Sequence, residues 1–149
     1  MSRSIFLAFL FAAFTAWAAD YTGPKPPKAD MIYLVHADNL IPTETGVASK
    51  KGDTYTINGA ASPARTPLAE PIFILRSEKI SPESIELYRM DVKGDRRELK
   101  MGKHTRPLLL EVTKLDNGLY RIEASEVLED GEYVLSPNGS DQVFCFQEY

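Results

Sequence analysis

From Met31 to Tyr149 the chain never sustains a helical period. Short apolar or alternating runs recur instead, among them "MIYLVH", "TYTI", "IFILR", "IELYRMDV", "LLLEVTKL", "LYRIEA", "EYVLS" and "QVFCFQ", and turn formers separate them. Side chains alternate between the two faces of a strand, so each run must be layered against others to bury its apolar side. Many short strands at this spacing predict an all-β fold. The expected form is a single immunoglobulin-like antiparallel β-sandwich, with a small β-barrel as the alternative.

Two hairpins are readable in detail. Around Asp116-Asn117-Gly118, a two-residue turn would set Lys114 opposite Arg121 and Val112 opposite Glu123. A three-residue loop with Gly118 left-handed in a bulge sets Val112 opposite Ile122 and Leu110 opposite Ala124. One face must be apolar, so the three-residue loop is predicted. In the closing pair, Tyr133 and Leu135 share one face, and Phe144 and Phe146 share a face of the partner strand. Val143 and Cys145 turn to the other side. Between "IELYRMDV" and "RRELKM", either pairing buries charge, which leaves the register of residues 85–101 open.

The N-terminus reads as an export signal. Arg3 precedes an apolar run from Ile5 to Phe14, and Ala16-Trp17-Ala18 fits the small-x-small cleavage pattern. The run is shorter than the about 20 residues a spanning helix needs. The expected organisation is a signal peptide at 1–18, a Pro-rich leader or linker at 19–30 and a β-sandwich at 31–149, in the periplasm or outside the cell. No integral membrane span is expected in the mature chain. The formal charge is −4 at pH 7, and losing Arg3 makes it more negative. An acidic domain gains nothing from counterion release on a phosphate backbone, so nucleic acid is not an expected partner. The single cysteine allows no internal disulfide. Cys145, between Phe144 and Phe146, is expected to be a buried, unreactive thiol.

"LEDGEYVL" places a leucine, a glycine and then Tyr133 at the start of the penultimate strand. The pattern resembles the tyrosine corner of Greek-key sandwiches, in which the phenol bonds a nearby backbone group. "LVHADNL", "GAASPARTPLAEPIFI" and the closing "LEDGEYVLSP…VFCFQEY" resemble uncharacterised exported bacterial proteins with an immunoglobulin-like sandwich, which imply no activity. The tyrosine element is also similar to periplasmic copper carriers of the CopC type. Those use histidines near the mature N-terminus, whereas this chain has "ADYTGPKPP" there.

The chemistry-bearing residues are sparse. Of the two histidines, His36 ends an apolar strand and His104 follows Met101 in "MGKH". Neither composition nor spacing assembles a metal site from so few soft ligands, and no G-x-S-x-G elbow is present. "DVKGD" and "LDNG" read as solvated turns rather than calcium loops. Asn138-Gly139-Ser140 is a glycosylation sequon only in a eukaryotic secretory route. No cofactor and no catalytic residue is expected.

The stretch from Pro42 to Pro71 carries few large apolar residues and four prolines. Long loops on rigid scaffolds often hold recognition residues, so Arg65 and Thr66 are the candidate contacts with an unknown protein or envelope component. The expected function is a non-catalytic interaction or structural module. A small-ligand or carbohydrate-binding module is the alternative, and a hydrolase the third reading.

Overall fold

The computed structural model describes residues 20–149, so the signal-peptide reading of 1–18 lies outside the described residues. The strands run β1 (Ile32–His36), β2 (Asn39–Pro42), β3 (Glu44–Val47), β4 (Ser49–Lys51), β5 (Thr54–Asn58), β6 (Arg65–Thr66) and β7 (Ile72–Arg76). After a 3-10 turn at Pro82–Ser84 come β8 (Ile85–Lys93), β9 (Arg96–Lys100), β10 (Leu110–Asp116), β11 (Leu119–Ala124), β12 (Gly131–Pro137) and β13 (Gln142–Glu148). No helix among them is long and apolar enough to cross a membrane.

A five-stranded antiparallel sheet has the order β10-β11-β7-β1-β2. A second sheet has the order β3-β13-β12-β8-β9-β5-β4, with β6 added parallel to β13. The all-β expectation holds, and features of both predicted architectures are present. The first sheet packs on the second as a sandwich, while the second curls into a nearly closed barrel.

The closure has a simple origin. Only Thr43 separates β2 from β3, and only Ala48 separates β3 from β4. Residues 39–51 are therefore one extended run that changes partner twice, from β1 to β13 and then to β5. Both corner residues are buried. The Thr43 hydroxyl donates to the Ile32 carbonyl at 2.7 Å, and the Ala48 N–H donates to the Asp141 carbonyl at 2.8 Å. Because β3 and β4 end the sheet on opposite sides yet are joined by one residue, the sheet has to wrap round. Pro42 belongs to this joint, while the prolines and small residues after β5 lead along β13 through β6.

The strand pleat sorts β12 and β13 between two cores. Tyr133, Leu135, Phe144 and Phe146 face the first sheet, where Phe73, Leu75, Ile32 and Ile122 meet them. Phe146 stacks on Tyr133 at 5.4 Å and meets Phe73 edge-on at 5.0 Å. Val134, Val143 and Cys145 face the barrel interior with Tyr88 and Met90. The expected sharing of faces holds, and the register sets Tyr133 opposite Phe146 and Val134 opposite Cys145. The Tyr133 hydroxyl donates to the Glu129 carbonyl at 2.6 Å, which is the geometry of a tyrosine corner.

In the β10–β11 hairpin, Val112 faces Ile122 and Leu110 faces Ala124, with the ladder irregular between Lys114 and Asp116. Gly118 has φ +73°, a left-handed conformation that suits glycine. The open register of residues 85–101 is resolved as Val92 opposite Arg97, closed by Gly94 at φ +64°.

The Pro-rich leader differs from the linker expected of it. Ile74 and Arg76 alternate with the core residues Phe73 and Leu75, so they point away from the barrel. Ile74 is nonetheless buried, as is Tyr33 opposite it. Arg76 donates to the Pro27 carbonyl at 3.2 Å, and the Asp30 carboxylate accepts from the Glu78, Lys79 and Ile80 backbone N–H groups. Pro26 is itself buried. The leader is therefore tied to this outer face at Pro27 and Asp30.

Candidate functional site: the barrel interior

The barrel interior is apolar toward one end and charged toward the other. Arg97, Leu99 and Met101 alternate inward from β9, so the pleat alone puts one guanidinium in line with two apolar side chains. Arg97 is fully buried. Its Nε donates to the Gly59 carbonyl at 2.8 Å and its Nη2 to the Asn58 carbonyl at 2.9 Å. Its Nη1 lies 2.7 Å from Glu44 Oε1 and 3.7 Å from Glu132 Oε2. The Glu44 approach is close but off the hydrogen-bond line, so charge holds that pair rather than an aligned N–H.

This arginine closes the barrel where the backbone does not. Between Glu44–Val47 and Thr56–Asn58 a groove of about 240 Å³ takes the place of a ladder. Arg97 bridges it from β9, reaching Glu44 at the start of β3 and the carbonyls at the end of β5. Burial alone would lower the guanidinium's pKa, but Glu44 first, with Cys145 and Glu132 adding to it, outweighs that and raises the value. Burial raises the Glu132 carboxyl above the ordinary range, and the Ser62 N–H and Arg97 offset that only in part. Ser62 joins this end too, since its N–H donates to Glu132 Oε2 at 3.0 Å and its hydroxyl to the Cys145 carbonyl at 3.1 Å.

Cys145 sits on the interior side with no exposed surface. Burial pushes its thiol up to about 12, with Arg97 opposing that shift and the Glu44 and Glu132 carboxylates adding to it. A thiol held protonated is a poor nucleophile. A thiol reagent at neutral pH is expected to label Cys145 slowly in the native protein and rapidly in denaturant. Equal rates in both would contradict the buried placement.

The other end opens as a mouth with a cavity of about 80 Å³. Tyr55, Ile57, Tyr88, Met90, Leu99 and Met101 form most of its wall, and Ala48, Val134 and Val143 complete it. The rim is polar and fixed. Tyr88 Oη donates to Glu86 Oε2 at 2.6 Å, and Asn138 Nδ2 donates to Glu86 Oε1 at 2.6 Å. Burial and the Glu86 carboxylate together raise the Tyr88 hydroxyl's pKa, so it stays a donor. The Ser136 hydroxyl donates to the Gln142 carbonyl at 2.6 Å, which pins the β12–β13 turn beside the opening. The Lys50 ammonium rests 5.2 Å from the Tyr55 ring centroid.

The residues expected to carry recognition lie elsewhere. Arg65 is exposed on β6, where its Nε donates to Gln147 Oε1 at 2.6 Å and its guanidinium lies 4.0 Å over the Tyr149 ring. Thr66 is buried, and its hydroxyl accepts from the Leu68 N–H at 3.2 Å, so it offers nothing to a partner from outside. His36 is exposed at the β1–β2 turn and His104 is exposed in the loop after β9. Met101, considered with His104 from their spacing, faces the mouth instead. Glu86, Tyr88 and Arg97 were not among the expected site residues. Alternation through "IELYRM" and "RRELKM" could have shown that they turn inward, but not that they meet.

No protein-family profile, curated protein or solved structure matches the chain.

Proposed function

We propose that the protein is an exported, non-catalytic binding module, released to the periplasm or the outside after cleavage at Ala18. Its barrel mouth takes up one small apolar group of a ligand or partner. The observation that carries this reading is the mouth itself, with apolar, aromatic and thioether walls under a rim fixed by hydrogen bonds. A concave apolar pocket with a few convergent polar groups is the usual form of a small-molecule site. Methionine adds adaptability, because its unbranched thioether fits guests of different shape.

The cavity's size sets the guest. By the same kind of measure a water needs about 10–15 Å³, and an engineered cavity of about 150 Å³ admits benzene. About 80 Å³ therefore suits a branched group such as isopropyl or tert-butyl, with the rest of the ligand outside. A ligand that binds only the folded state stabilises it by mass action. Saturating 3,3-dimethylbutan-1-ol is expected to raise Tm by about 2–4 °C. Leu99→Phe, which narrows the mouth from within β9, is expected to abolish that rise in a variant that circular dichroism shows to be folded. An unchanged Tm in the parent protein, or an equal rise in both, would contradict the reading.

One observation favours a second reading, surface recognition through Arg65. The Arg65–Tyr149 stack is exposed, and among the described residues the outer guanidinium nitrogens make no hydrogen bond, which leaves them available for a directional contact.

A further inference from the structure

The geometry points to a small organic cation as the guest of the mouth: a methylated or alkyl ammonium whose apolar part enters the cavity while its charge meets Glu86. The inference rests on the reading of the mouth as a binding site and adds the chemical class of its ligand.

Three observations carry it. First, Glu86 is half-buried at the rim with both carboxylate oxygens held by neutral donors, the Tyr88 hydroxyl and the Asn138 amide. Asp141 also lines the rim. Among the described residues no ion pair compensates either of them. A fixed and uncompensated carboxylate beside an apolar wall favours a cation that the wall can also desolvate. Second, two tyrosine rings line the same space, and the faces of tyrosine rings attract cations, including quaternary ammonium groups. Third, the protein already places a cation on one of these rings. Lys50 is opposite Tyr55 in register, and its ammonium sits 5.2 Å from that ring's centroid. Lys50 is exposed and does not line the cavity, so its contact shows that the Tyr55 ring accepts a cation without filling the mouth.

A methylated ammonium fits these features better than a bare one. Its charge is spread over methyl groups, so it loses less hydration on entering an apolar pocket, and its branched shape matches the cavity.

The test compares choline with its neutral carbon isostere, 3,3-dimethylbutan-1-ol, by titration calorimetry on the mature protein. Choline is expected to bind about tenfold more tightly. Glu86→Gln keeps an oxygen for the Tyr88 hydroxyl, and Asn138 can turn its amide to accept from the new NH2, so the variant is expected to lower choline affinity about tenfold while the alcohol changes much less. Circular dichroism of the variant establishes that it is folded. Should Glu86→Gln fail to fold, raising the salt concentration serves instead, and it is expected to weaken choline alone. If the alcohol binds as tightly as choline, or choline ignores both perturbations, the cation inference is overturned and the apolar mouth stands. If neither compound binds, both readings fall. The same chemistry occurs on lipid headgroups, which pelleting with phosphatidylcholine vesicles separates. Pelleting that free choline reverses supports a headgroup source, and choline binding without pelleting supports a soluble one.

Discussion

Replacing Arg97 by methionine is expected to destabilise the protein by about 3–5 kcal/mol at neutral pH, because it breaks a buried charge pair from one side. Methionine keeps much of the stem's volume, so the loss reports the charge and its hydrogen bonds more than packing. Glu44 and Glu132 would then face each other without a counter-charge, and the Asn58 and Gly59 carbonyls would lose their donors. Two further outcomes distinguish this from a simple cavity. The Glu132 carboxyl is already raised in the native state, chiefly by burial, and losing Arg97 removes one of the groups that lower it. A carboxyl raised on folding adds stability below its unfolded pKa, and that stability is lost as pH rises through its folded pKa. The Arg97→Met variant is therefore expected to be more stable near pH 5 than near pH 7, relative to the parent protein. Adding Glu132→Gln should recover part of the loss at neutral pH. Urea midpoints at the two pH values provide the measurement, and a loss below about 1 kcal/mol would show that Arg97 does not close the barrel.

Phe146→Ala is expected to cost about 3–5 kcal/mol for a different reason. Phe146 is fully buried between the Tyr133 ring and Phe73, so it joins the terminal strand to both β12 and the first sheet. Removing it opens a cavity at the centre of the sandwich, and neither rigid neighbour can easily collapse into it. The cost should hardly depend on pH, in contrast to Arg97→Met. A Phe146→Leu variant should retain more than half of the lost stability by refilling most of the volume. A small effect from Phe146→Ala would mean that the terminal strand is not anchored where the two layers meet.

Much of the sandwich was legible in the sequence because local rules settle it. Asp116-Asn117-Gly118 admits one register that keeps Leu110 and Val112 on the apolar side, and β10 and β11 adopt it. The alternation of Tyr133 to Leu135 against Phe144 to Phe146 fixes the closing hairpin in the same way.

Residues 85–101 resisted for a physical reason. The register they adopt buries Arg97, which looks unfavourable until Glu44, from a strand far away in sequence, is placed beside it. The stretch from Pro42 to Pro71 misled through its composition. Thr43, Ala48, Ser62, Ala64 and Thr66 are all buried, yet small and polar side chains do not read as core. Their size allows one run of chain to turn two corners and the following segment to settle against β13. The mouth left no local signature at all. Tyr55, Tyr88 and Met90 read as ordinary strand residues and Met101 only as a neighbour of His104, and closure of the barrel is what gathers them round a cavity.

That gathering is tested most directly by the methionine methyl groups. Met90 and Met101 line the mouth, while Met31 packs against the sandwich core and serves as an internal control. In protein comprising residues 19–149 and labelled at the methionine methyls, titration with 3,3-dimethylbutan-1-ol is expected to shift the Met90 and Met101 signals along one saturable curve and leave Met31 in place. Leu99→Phe should suppress both shifts. Shifts at all three methyls, or at none, would contradict a ligand seated in the barrel mouth.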